Sequence, residues 1–199
     1  DEFPWNPWKP LAGAWSHNLL LRDERQCADW SVRYNLIMLA HGTDKIFYHQ
    51  GAEAVVNNGS VSIECPLLGM QGKPLKFYAA QAITANLLGP KPVFAAELAK
   101  PTTVAGRPTA GVYGYAFQCG TKALLAAWCV EEQVGTEGWL LRVPEDVDIC
   151  TLMGNHVAGG SVRLDVSPVY LTSATRTAGE LAKACELVLH PDQTVGPGR

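Results

Sequence analysis

Apolar residues switch their main repeat at Gly89-Pro90 in this chain of 199 residues, and that switch limits what it can fold into. Before it, apolar side chains recur every three or four residues, the period of a helix with one buried face. After it, they recur every second residue, the period of a strand with one buried face. The expected fold class is therefore α/β followed by all-β.

The helical part reads as helix, strand, loop, helix. Asp23 with Gln26 three residues on has the form of a capping box, and Gly42 is placed to end the helix. Within that helix Val32, Leu36, Ile37, Leu39 and Ala40 are expected to form the buried face. Ile46, Phe47 and Tyr48 follow as a short strand between Asp44 and Gly51. It is apolar at successive positions, as a strand covered on both sides of a parallel sheet would be. Residues 51 to 74 read as a Gly- and Asn-rich loop, with VSIECPLL as a small strand inside it. In the second helix Leu75, Tyr78, Ala79, Ala82, Ile83 and Leu87 keep the helical spacing, and Gly89 caps it.

Beyond Pro90, Tyr113, Tyr115 and Phe117 alternate with smaller residues, and Gly120-Thr121 turns the chain. Leu124, Ala126, Trp128 and Val130 continue the alternation; Trp139 to Val143 and Val147 to Met153 follow, with a turn at Gly154-Asn155. Val162, Leu164 and Val166 lead to Pro168, which suits a strand end. About six short strands between turn signals predict a small antiparallel sandwich or barrel, with Trp128 and Tyr115 in its core. Leu181, Ala184, Cys185 and Val188 predict a terminal helix over 174–189, and the last ten residues read as a loose tail. The domain division read from these patterns is 1–90, 91–173 and 174–199.

Composition narrows the function classes. A formal net charge of −3 gives no reason to expect a nucleic-acid or anionic-membrane partner. No apolar run reaches the roughly 18 residues of a membrane span. Six cysteines occur with no C-x-x-C pair and no His at ligand spacing, so no metal or cofactor is expected. They allow about 15 disulfide connectivities, and spacing does not choose among them; Cys27 and Cys129 suit small buried positions. Asn58-Gly59-Ser60 matches a glycosylation sequon, and the expected setting leans to the secretory pathway or extracellular space. The opening DEFPWNPWKP has neither the basic start nor the apolar run of a signal peptide. Its three prolines exclude a regular helix there. Trp5 and Trp8 then either form a stacking platform for a ring or cover a neighbouring surface. No Gly-x-Ser-x-Gly, phosphate loop or dinucleotide fingerprint occurs.

Taken together, the helix with Glu24, Gln26 and Arg33, the strand IFYHQG and the helix GKPLKFYAAQAITANLLG resemble the seventh helix, eighth strand and eighth helix of the retaining (β/α)8-barrel glycoside hydrolases. VDICTLMGNHV and LDVSPVYLTS resemble the D-x-M-G-N turn and the S-P-V-Y last strand of the β-sandwich that commonly follows that barrel. The resemblance runs over residues 1 to 172. It implies that residues 1–90 close a (β/α)8 catalytic barrel and that 91–173 form the sandwich. Asp1-Glu2-Phe3 resembles the T-E-F that ends the seventh strand, with Asp in place of Thr, which implies Glu2 as catalytic nucleophile. By the same comparison Tyr48 and His49 line the sugar pocket, and Trp5 and Trp8 stack on the substrate.

Retaining hydrolysis needs a second carboxyl about 5 Å from the nucleophile. In these barrels it lies at the end of the fourth strand, on the same face as the other catalytic groups. The expectation is that the acid/base comes from barrel strands outside this chain, on a second polypeptide or a missing segment. Of the carboxylates present, Glu53, Glu64, Glu97, Asp146 and Asp148, the nearest to the top of the eighth strand is Glu53. The alternatives are a non-catalytic carbohydrate- or protein-binding module derived from such a hydrolase, and an unrelated α+β domain.

Overall fold

A computed structural model describes residues 24–47, 54–55, 61–62, 74–130 and 138–189. The chain divides into two compact units, Asp1–Asn86 and Leu87–Arg199. In chain order the elements are α1 (Glu24–Ala40), β1 (Ala54–Val55), β2 (Val61–Ser62), α2 (Lys76–Leu88), β3 (Val93–Glu97), β4 (Thr103–Val104), β5 (Arg107–Pro108), β6 (Val112–Cys119), β7 (Lys122–Cys129), β8 (Trp139–Arg142), β9 (Asp148–Thr151), β10 (His156–Val157), β11 (Ser161–Arg163), β12 (Val169–Ser173), α3 (Ala178–Ala184) and β13 (Glu186–Leu189). The architecture is mixed, with helices early and antiparallel strands dominating the C-terminal part.

Both long helices end where the glycines predict, at Gly42 and Gly89, each with positive φ (93° and 68°). An L side chain there would be strained, which is why glycine closes the helix. The buried faces match the expected ones in part, at Val32, Leu36 and Leu75. On α1 the buried stripe is Cys27, Ala28, Ser31, Val32, Asn35 and Leu36, whereas Ile37, Leu39 and Ala40 are half-buried. On α2 it is Phe77, Ala80, Thr84 and Leu88, whereas Tyr78, Ala79 and Ala82 are exposed. Both stripes of α2 are apolar, so periodicity cannot choose between them. Hydrogen bonds do: Asn35 Nδ2 donates to Gln81 Oε1 at 2.8 Å, and Gln81 Nε2 donates to Ser31 Oγ at 3.0 Å. That pairing turns the Gln81 side of α2 toward α1.

The expected strand at Ile46–Tyr48 is not paired where it is described. Residues 44–47 carry no ladder, and Phe47 is 84% exposed; Tyr48 lies outside the described residues. Inside the loop that follows, β1 and β2 form a small antiparallel pair, Val55 opposite Val61.

In the second unit the larger sheet has six strands in the order β10-β9-β12-β7-β6-β3, and a three-stranded sheet runs β11-β8-β13. The ladders of both are antiparallel. One core joins them. Ala116, Leu125, Ile149 and Leu171 from the larger sheet pack with Trp139, Leu141, Val162 and Leu187 from the smaller, and α3 adds Leu181 and Ala182. The β6–β7 hairpin turns at Gly120, φ 62°, where the sequence places it.

β7 is apolar at every position after Lys122 and buried throughout. Ala123, Leu125, Ala127 and Cys129 face the joint core, while Leu124, Ala126 and Trp128 lie on the opposite face. There Trp128 stacks on Tyr113 (5.6 Å between ring centres, 15° between planes), and Phe94 meets both Tyr115 and Phe117. A strand buried on both faces reads as a continuous apolar run rather than an alternation.

The predicted terminal helix is much shorter than 174–189. α3 starts with a capping box between Thr177 and Glu180 and stops after Ala184, because Cys185 is extended (φ −84°, ψ 132°). Glu186–Leu189 instead form β13, paired with β8 from Leu189 opposite Trp139 to Glu186 opposite Arg142. The unpredicted β3 pairs with β6 through a bulge between Phe94 and Ala96. That bulge brings Leu98 close to Gly114, whose backbone oxygen accepts from the Leu98 amide at 2.8 Å.

Candidate functional site

The five residues singled out by the sequence, Glu2, Trp5, Trp8, Tyr48 and His49, lie outside the described residues, as do Asp23, Glu53, Glu64, Asn58 and Cys65. Phe47 precedes Tyr48 directly, and α1, whose C-terminal turn closes at Gly42, leads into that segment. α1 is held by the Asn35–Gln81–Ser31 bonds and by Arg25 Nε on the buried Asp29 carboxylate at 3.1 Å.

Of the other carboxylates considered from sequence, Asp146 is committed to structure. Arg176 grips it with two bonds, Nε to Oδ2 at 2.9 Å and Nη2 to Oδ1 at 2.8 Å, and Thr175 Oγ1 donates to Oδ2 at 2.9 Å. Those donors hold its pKa at about 2. A carboxyl held that low stays ionised at neutral pH and cannot serve as a proton donor there. Asp148 is exposed on β9.

Glu97 borders a cleft of about 230 Å³ that the sequence did not reveal, where β3 and β6 part; Lys100, Tyr113 and Tyr115 share its wall. The Lys100 ammonium donates to the backbone oxygens of Thr109 (3.1 Å) and Val112, and it lies 5.7 Å from the centre of the Tyr113 ring. Burial lowers the Lys100 pKa against the opposing pull of Glu97. Burial, then the charge of Glu97, raises that of Tyr115. No spacing rule could have found Lys100, because its partners lie on a segment that returns to it only after the β4–β5 hairpin.

No disulfide joins the described cysteines, and Cys119, Cys150 and Cys185 are poor nucleophiles. Burial pushes Cys119 up to about 11 and Cys185 up to about 12, and it raises Cys150 as well. A thiol with so high a pKa holds little thiolate at neutral pH. Among the described residues no three His, Cys, Asp or Glu side chains gather as metal ligands. No described helix is long and apolar enough to cross a membrane.

No family model and no curated protein matches the chain. Among solved structures it is similar to a GH30 endoxylanase from Clostridium papyrosolvens C71, at 17% identity and a TM-score of 0.33. The match covers 53% of this chain and 30% of that one, so the chain spans under a third of that enzyme's length. A likeness at that level fixes neither topology nor chemistry.

Proposed function

We propose that this chain is the C-terminal portion of a retaining (β/α)8-barrel glycoside hydrolase, carrying the last helix–strand–helix of the barrel and the β-sandwich domain that follows. The observation that carries this reading is the imbalance of apolar surface in the helical unit. Trp30, Phe47 and Tyr78 are exposed there, against Val93 alone in the strand-rich unit, among the large apolar side chains described. A barrel strand without its parallel neighbours forms no ladder and leaves its side chains in water. Residues 44–47 carry no ladder and Phe47 stands in water, while Ile46 is half-buried; in chain order they lie between α1 and α2, as a barrel strand lies between helices. The resemblance of the sequence motifs, in their order, supports the same assignment.

On this reading Glu2 attacks the anomeric carbon and forms the glycosyl–enzyme bond, as the leaving oxygen takes a proton from an acid/base carboxyl about 5 Å away. Water then reverses the steps through the same acid/base, releasing the sugar with its configuration retained. Tyr48 and His49 line the sugar pocket, and Trp5 and Trp8 stack on the ring. The acid/base and the remaining strands belong to barrel segments on the same longer polypeptide or on a partner chain. A glycoside or oligosaccharide is the substrate class, and an extracellular or secretory setting goes with it.

Native mass spectrometry followed by denaturing mass analysis tests the assembly. Recovery of this sequence with a barrel-completing polypeptide, covalently joined or not, supports the reading. A stable lone monomer of this chain, with Phe47 protected from labelling, overturns it. In the completed barrel, Glu2→Gln is expected to abolish turnover of aryl glycosides while leaving assembly intact; turnover at the parental rate would remove Glu2 as nucleophile.

A further inference from the structure

We draw no further inference here: the strongest candidate, the cleft bounded by Glu97, Lys100, Tyr113 and Tyr115 where β3 and β6 part, carries nothing because the Lys100 ammonium is already committed to the Thr109 and Val112 backbone oxygens and the Tyr113 ring, and nothing in the structure points to a ligand.

Discussion

Between α1 and α2 the ties are polar, Asn35 to Gln81 and Gln81 to Ser31, whereas between β6 and β7 each rung from Val112–Cys129 to Phe117–Leu124 is apolar or glycine on both faces. The helical unit uses hydrogen bonds to select which of two apolar stripes faces inward and leaves the other in water. The strand-rich unit buries both surfaces of its central strand and leaves little apolar area over. Hydrogen bonds are directional and specify an arrangement, but their net contribution to stability is small, about 1 kcal/mol each. Apolar burial is non-directional and contributes about 1.5–3 kcal/mol per large side chain. The two units thus differ in how a buried face is marked out: by polar bonds between the helices in one, and by a strand apolar on both faces in the other.

The largest expected effect lies in the strand-rich unit. Trp128 is 1% exposed and stacked on Tyr113, so Trp128→Ala should destabilise by about 3–5 kcal/mol. Urea unfolding followed by both circular dichroism and tryptophan fluorescence measures it. Loss of the strand signal with the helical signal retained would sharpen the contrast between the units. A single coincident transition for both signals would break it.

Gly114→Ala should follow, at about 1–3 kcal/mol. A Cβ there would stand 2.6 Å from the Leu98 Cβ, and Leu98 is held by its own backbone bond to Gly114. An unchanged urea midpoint would mean that the β3 bulge relaxes freely, and that this edge is less tightly packed than the core behind it.

In the helical unit Gln81→Ala removes the acceptor of Asn35 and the donor to Ser31 together. The expected loss is about 1–2 kcal/mol, and Tyr78 should become less accessible as α2 rolls toward its other stripe. Hydroxyl-radical footprinting of Tyr78 reads that rotation. Unchanged labelling with unchanged stability would show that apolar packing, not the polar tie, selects the face.

The smallest effect concerns Asp146, which is solvent-facing and screened. Its carboxyl is held at about 2, below its ordinary 3.8, by the bonds from Arg176 and Thr175. The stabilisation from that pairing is full above the ordinary value and is lost as pH falls toward 2. Asp146→Asn should therefore flatten the acid limb of the stability curve between about pH 4 and pH 2. If the parental limb persists in the variant, other carboxylates set it.

Much of this architecture could be read in the sequence where one local signal decides. Gly42, Gly89 and Gly120 each mark a conformation that other residues resist, and each stands where an element ends. What escaped is decided by partners far along the chain. Leu181, Ala184, Cys185 and Val188 keep helical spacing, yet the pairing of Glu186–Leu189 with β8 draws the chain into a strand. Val93–Glu97 is rich in alanine and gives no strand period, but β6 offers it a ladder. Along β7 the apolar residues Ala123, Leu125, Ala127 and Cys129 fall between those expected to face inward, and they mark its second buried face. The candidate site rests on the motif resemblance alone, since its residues have no periodicity of their own and lie outside the described residues. Lys100 was not legible at all, because its role arises from a chain crossing.

The placement of β13 has a consequence for how the strand-rich unit comes to be. Its partner β8 is made well before it, and β9 to α3 intervene. The β6–β7 hairpin can close as soon as Gly120 turns, but β8 gains this second neighbour only when β13 arrives. Pairings this distant in sequence slow the search, placing refolding on the order of milliseconds to seconds rather than microseconds. During that interval the flank of β8 that β13 will occupy offers open amides to any other chain nearby. The refolding yield of this protein should therefore fall with its concentration, even where the finished fold is stable.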